Sequence, residues 1–134
     1  MSLSKVYTSA TARHTDINIA DVWARPGFRG GNSAIYMNLS NVGDDAEYLV
    51  GAGTEICTTV EIHQIRMQGD VMTILPVSED IELLPGQMVG FEPGGLHFMK
   101  IDIDANLAPE SHFQMEVRFK LSGPVLVNVI VSET

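Results

Sequence analysis

Residues 60–77, VEIHQIRMQGDVMTILPV, decide the fold class, because apolar and polar side chains alternate in them on both sides of a turn. A period of two is typical of a β-strand that buries one of its faces. The segment QGD at 68–70 has the composition of a tight hairpin turn. The stretch therefore predicts an antiparallel hairpin with strands over 60–67 and 71–75.

The register of this hairpin decides which side chains can meet. With the glycine and the aspartate as the two central turn residues, Met67 lies opposite Met72 and Ile65 lies opposite Ile74. Residue 74 is then a diagonal neighbour of His63, at roughly 7–8 Å between backbones. Met72 pairs four residues farther from His63, which is about 13 Å along the strand. It shares the face but is too distant to contact His63 without a bulge or a loop motion.

Short apolar stretches with the same period recur through the rest of the chain. Turn-forming Gly, Pro, Asn and Asp residues separate them, and no stretch shows a helical period. Strands are expected at 17–23, 34–39, 48–51, 88–91, 97–103, 113–121 and 125–131, and a turn is expected at 83–86. Many short strands at regular spacing indicate an all-β protein, either an antiparallel sandwich or a barrel.

Length and composition indicate one domain. The chain has 134 residues, 45% of them apolar, which is enough to bury a core. Residues 1–14 are expected to form a flexible N-terminal tail, and residues 15–134 a single domain. No apolar run approaches the roughly 20 residues that cross a bilayer, and residues 1–5 lack the apolar stretch of a secretory signal. The pattern leaves open a cytosolic protein or a chain whose signal was removed.

Charge and cysteine content narrow the range of partners. Eight Lys and Arg against seventeen Asp and Glu give a net charge of −9 at pH 7. This charge disfavours nucleic acid and anionic lipid, and it is compatible with cations or with a partner that carries a basic patch. A single cysteine, Cys57, excludes an intramolecular disulfide and a multi-thiolate metal site.

The sequence has no recognisable enzyme motif. The segment PGG at 93–95 opens an expected strand rather than a helix, so it does not form a phosphate cradle. No nucleophile lies in a recognisable elbow, and Cys57 has no nearby histidine in sequence. A blue-copper electron carrier would need a cysteine placed with two histidines. The protein is therefore expected not to be an enzyme.

Histidine and methionine form the constellation that indicates a chemistry. His97 and Met99 are two residues apart, so an imidazole and a thioether project from one face of a strand. With His63 on another strand, this donor set suits Cu(I), because Mg²⁺ and Ca²⁺ prefer oxygen and Zn²⁺ rarely accepts methionine. Taken singly, such residues are more often surface histidines and core methionines. His14 in the tail and His112 in a turn are therefore interpreted as ordinary histidines that bind no metal.

Two segments resemble the signatures of the periplasmic copper chaperone family PCu(A)C. The first consists of VEIH at 60–63, GDVM at 69–72 and LPV at 75–77, and the second is EPGGLHFM at 92–99. Upstream, VWARP at 22–26, AIYM at 34–37 and LVGA at 49–52 are similar to the N-terminal half of the family. The resemblance covers about residues 15–131.

The resemblance implies a cupredoxin-like Greek-key antiparallel β-sandwich that binds one copper ion and delivers it. The copper is expected as Cu(I), with Cu(II) left open. The implied metal ligands are His63, His97 and Met99, and Met72 is a candidate swing-in ligand. The resemblance also implies a periplasmic or other extracytoplasmic location. The implied partner is a copper-receiving protein, namely a cytochrome c oxidase subunit or its assembly factor, with delivery towards the CuA centre.

One position departs from the family pattern. The family places a ligand methionine eleven residues after the first histidine, and residue 74 is isoleucine in this chain. Because an aliphatic group cannot coordinate, the sequence predicts a three-ligand site in which Ile74 forms an apolar wall that shields copper from water. The alternative is a non-catalytic interaction module of the cell envelope that keeps the fold and has lost full copper binding.

Overall fold

The computed structural model describes residues 16–54 and 57–133, and within these residues it contains ten β-strands and no helix. The strands are β1 (Ile17–Ala24), β2 (Ser33–Asn41), β3 (Glu47–Thr54), β4 (Cys57–Gln68), β5 (Val71–Pro76), β6 (Ile81–Leu83), β7 (Met88–Phe91), β8 (Leu96–Ile103), β9 (His112–Phe119) and β10 (Gly123–Val131). The predicted all-β class is confirmed. The predicted tail over 1–14 lies outside the described residues. No membrane-spanning helix is found in the described part of the chain.

Some local predictions near strand ends are wrong. The strand expected over 113–121 ends at Phe119, so Leu121 lies in the turn before β10. Leu83, expected in a turn, ends the three-residue strand β6, and His112, interpreted as a turn residue, begins β9. A strand of three residues is too short to show a period. β6 forms because it pairs with β3, which lies well upstream, and β9 begins at His112 because that residue pairs with Ile130 of β10.

All ten strands belong to one sheet in the order β5-β4-β8-β7-β2-β1-β10-β9-β3-β6, and β8 also pairs with β2. Most neighbours are antiparallel, as the sequence predicts. The pairs β1–β10 and β7–β8 are parallel, so the sheet is mixed. The β1–β10 pair joins the first strand to the last, and no local pattern in the sequence encodes such a contact.

The inward-facing side chains form one apolar core that draws on most of the strands. Within it, the rings of Phe91 and Phe98 stack with centroids 4.4 Å apart and an interplanar angle of 8°. Side chains alternate along β8, so Phe98 faces the core while His97 and Met99 face the opposite side of the sheet. Burial of Phe98 therefore fixes the strand that carries two of the predicted ligands.

A bulge in β1 brings an aromatic side chain to the same outer face. Ile19 lies opposite Leu39 and Trp23 lies opposite Tyr36, and the register shifts between these two pairs. Asp21, in the shifted segment, has a φ of 55°. An extra residue reverses the facing of everything that follows it. Ile19 therefore faces the core, and Trp23 faces outward beside Tyr36.

The β4–β5 hairpin has the register that the sequence predicts. Met67 lies opposite Met72, and Ile65 lies opposite Ile74. Gly69 has a φ of 65°, which a type II′ turn requires at its first central position. This turn fixes which side chains of the two strands share the outer face.

Candidate metal centre

The two predicted histidine ligands face each other across β4 and β8. His63 lies directly opposite His97 in the strand register. The ring centroids are 5.6 Å apart, and the ring planes make an angle of 76°. Directly opposite residues are the closest side-chain pairs of an antiparallel ladder. The structure thus brings together two imidazoles that the sequence places on separate strands.

Each histidine makes one hydrogen bond that determines which ring nitrogen is protonated. Nε2 of His63 lies 2.8 Å from Oε1 of Glu61, and Nδ1 of His97 lies 3.3 Å from the carbonyl oxygen of Gly95. A carboxylate and a carbonyl only accept, so both ring nitrogens donate. In their neutral forms, His63 then presents the lone pair of Nδ1 and His97 presents the lone pair of Nε2. Such hydrogen bonds orient histidine ligands in metal sites.

Burial keeps His97 neutral. The residue is only 4% exposed. Burial lowers the pKa of His97 below its ordinary value of 6.5, the hydrogen bond to Gly95 partly offsets this effect, and the nearby His63 lowers the pKa further. The side chain of His63 is 16% exposed, which leaves one edge of the pair open to solvent. The pair combines a buried imidazole that resists protonation with a more accessible one.

Met99 lies on the same outer face as the histidine pair. It is two residues beyond His97 on β8, opposite Glu61 of β4 and opposite Ala34 of β2. Residues two apart on a strand are about 6.6 Å apart. Met99 is partly buried. His63, His97 and Met99 therefore occupy two adjacent rows of one sheet face.

Met72 lies away from this group. Its side chain is 61% exposed, and it pairs with Met67 near the tip of the hairpin. Ile74 is a diagonal neighbour of His63, because it pairs with Ile65 while His63 pairs with Pro76. Ile74 is 52% exposed, so it shields the histidine pair less than the sequence predicts.

The sequence interpretation missed three side chains that surround the site. Glu61, the hydrogen-bond partner of His63, precedes it by two residues, so the strand period alone could have placed it on this face. The rings of Tyr36 and His97 have centroids 6.4 Å apart, and those of Trp23 and Tyr36 are 4.8 Å apart. This row depends on the strand order and on the β1 bulge, for which the sequence carries no local signal.

Other candidate residues lie elsewhere or outside the described part. His112 accepts a hydrogen bond on Nδ1 from Nδ2 of Asn128 at 2.8 Å, on β9 and β10. His14 lies outside the described residues. Among the residues that the structure describes, no group of three or more His, Cys, Asp or Glu side chains could hold a metal ion. A metal at the histidine pair would therefore depend on the thioether of Met99.

Solved structures that share this fold are PCuAC domains, as the sequence resemblance predicts. The apo PCuAC domain from PmoF1 has a TM-score of 0.75 at 21% identity, over 89% of this chain and 95% of that domain. The copper-bound PCuAC domain from PmoF2 has a TM-score of 0.72 at 24% identity, over 89% and 94%. CuI-DR1885 from Deinococcus radiodurans has a TM-score of 0.59 at 19% identity, over 95% and 87%. The cupredoxin-like fold is confirmed.

The sequence comparison defines the family. A family model described as "Putative lipoprotein LpqE-like" matches residues 17–131. Because this match spans most of the chain, the protein belongs to the LpqE-like family. A relative from Leifsonia xyli subsp. xyli, "Putative lipoprotein Lxx21020", is 21% identical over 115 residues, which are 84% of this chain and 69% of the relative.

Proposed function

We propose that this protein is a copper carrier that binds one Cu(I) through His63, His97 and Met99 and hands it to another protein without catalytic turnover. The observation that carries the proposal is the pair of facing imidazoles, with ring centroids 5.6 Å apart. Each ring has one nitrogen held by a hydrogen bond and the other available. The thioether of Met99 on the same face completes a donor set soft enough for Cu(I).

The donor set also suits release. A thioether carries no proton and forms no disulfide, and it is a weaker ligand than a thiolate. With Ile74 at the position of the fourth family ligand, one coordination position is left for a donor from the receiving protein. A three-ligand site can therefore hold copper and still pass it on through an intermediate in which both proteins supply ligands to the ion.

The comparisons support copper as the cargo. A copper-bound PCuAC domain from PmoF2 and CuI-DR1885 share this fold. The family and the Leifsonia relative are described as lipoproteins, which supports an extracytoplasmic location. The resemblance to the PCu(A)C family supports a cytochrome c oxidase subunit or its assembly factor as the recipient, with delivery towards the CuA centre.

A Cu(I) titration of reduced protein against a competing chelator tests the proposal. We expect one tightly bound equivalent per chain, with a large loss of affinity in His97→Ala and little change in His112→Ala. His112 is the matched control because it lies on β9 and bonds Asn128. Equal losses in the two variants would refute the ligand assignment.

A second candidate function is an interaction module of the cell envelope that has lost useful copper binding. The observation that favours it is Ile74, which supplies no ligand at the diagonal position beside His63. The same titration separates the two functions. A wild-type chain that fails to hold Cu(I) against a weak chelator would support the interaction module and contradict the carrier.

A further inference from the structure

Two methionines lie opposite each other near the tip of the β4–β5 hairpin. Met67 and Met72 are register partners, and they are 60% and 61% exposed. Methionine in a folded protein usually fills a gap in the core. Met37 and Met115 follow that rule, at 1% and 0% exposure. The hairpin pair instead presents two thioethers to solvent.

The turn fixes how close the two side chains come. Gln68 and Val71 are the pair adjacent to the two-residue turn. In such a hairpin this pair is hydrogen-bonded, so the next pair, Met67 and Met72, is of the non-hydrogen-bonded type. Residues in that type of pair have Cα atoms about 4.5 Å apart and the closest side chains of the ladder. The register thus holds two flexible thioethers side by side.

The pair shares a face with the histidine site. Side chains four residues apart on a strand lie on one face, about 13 Å apart. Met67 is four residues beyond His63 on β4, so the two groups cannot hold one ion together. Because the tip is more exposed than the buried His97, an ion from solvent or from another protein can reach the methionines with less rearrangement.

We propose that Met67 and Met72 form a second, weaker Cu(I) site, in which two thioether sulfurs hold the ion at the hairpin tip during its transfer to or from the histidine site. Thioethers select soft monovalent copper over the hard divalent cations. Two neutral sulfur ligands bind weakly, which is the property that a transfer site needs. The binding itself stands independently, and the transfer role rests on the proposed function.

Methionine-methyl NMR with Ag(I) as a redox-inert probe, repeated with Cu(I), tests the site in the full chain. Met88 supplies the matched control, since it is 65% exposed and lies opposite Ser40 rather than another methionine. We expect the methyl signals of Met67 and Met72 to shift with one common midpoint. The signal of Met88 should not shift at those metal concentrations.

Substitutions separate the hairpin pair from the histidine site. In Met67→Leu, we expect the midpoint of Met72 to move to at least tenfold higher metal concentration, whereas Met88→Leu should leave it unchanged. In His97→Ala, the shifts of Met67 and Met72 should persist although the response of Met99 is lost. An unchanged Met72 titration in Met67→Leu, or hairpin methionines that respond no more than Met88, would overturn the proposal. A silent Met99 with responsive hairpin methionines would instead refute the histidine site alone.

Discussion

Glu47, at the start of β3, forms hydrogen bonds to the turn between β9 and β10. Its replacement should have a large, pH-dependent effect on the stability of the fold. The residue is 5% exposed. Its carboxylate accepts four hydrogen bonds, from the N–H groups of Tyr48, Leu121 and Ser122 and from the hydroxyl of Ser122, at 2.7–2.9 Å. Burial alone would raise the pKa of Glu47, but these hydrogen bonds outweigh it and hold the pKa below its ordinary value of 4.5.

The size of the effect follows from the donors that would be left behind. In Glu47→Ala, the N–H groups of Leu121 and Ser122 lose an acceptor in a partly buried turn. Hydrogen bonds to a charged group contribute about 1.5–3 kcal/mol each and overlap when they share one carboxylate, so we expect a loss of about 3 kcal/mol. For a chain of this size that corresponds to a fall in Tm of roughly 12 °C. Glu47→Gln keeps one acceptor oxygen and should lose about half as much.

The pH dependence has a definite sign. Because the folded-state pKa lies below the unfolded value, the charged carboxylate stabilises the fold fully above about pH 4.5, and the contribution disappears as the pH falls through the folded pKa. Urea unfolding of wild type and Glu47→Gln between pH 7 and pH 3 checks this. The difference in unfolding free energy should shrink in the acid range. Glu82→Gln, at an exposed carboxylate that reaches the hydroxyl of Tyr48, is the control and should change little. A loss below 1 kcal/mol in Glu47→Ala, or a difference between wild type and Glu47→Gln that does not vary with pH, would refute this reasoning.

Three further predictions concern the copper site. Ile74→Met should add a thioether diagonal to His63 and tighten Cu(I) binding about tenfold, which is about 1.4 kcal/mol. Met72→Leu should leave the affinity for the first Cu(I) equivalent unchanged. If a chelator competition showed the reverse, Met72 would be the fourth ligand. Glu61→Ala should weaken copper binding about 10- to 100-fold, because it frees the ring of His63 from its orienting hydrogen bond, and an unchanged affinity in the same assay would contradict that role. The metal-free chain should be folded and should unfold cooperatively, and copper should raise Tm only through ligand linkage. A circular dichroism spectrum showing that the apo protein is unfolded would contradict this prediction.

Local features of the site could be predicted from the sequence because strand period and turn chemistry are local. The hairpin register around Gly69 is as predicted, including Ile65 opposite Ile74. The placement of His97 and Met99 on one face follows from their spacing alone. The assignment of these residues as copper ligands stays a prediction.

The remaining features depend on contacts between distant segments. The pairing of His63 with His97 requires β4 to lie beside β8, and the position of Tyr36 requires β2 on the other side of β8. Trp23 reaches the outer face only through a bulge. Ile74 is predicted to form a wall, yet it lies on the edge strand β5 and remains half exposed. No pattern within one strand encodes these relations.

The row of rings across β1, β2, β8 and β4 makes Trp23 an intrinsic fluorescent reporter of the histidine pair. Trp23 is the only tryptophan in the chain. Its ring adjoins Tyr36, and Tyr36 adjoins His97. Emission from this single indole therefore comes from one known place two ring contacts away from the histidine pair. A change in the polarity or electron density of that pair should alter the emission of Trp23. Occupancy of the histidine site can therefore be followed in real time without attaching a dye.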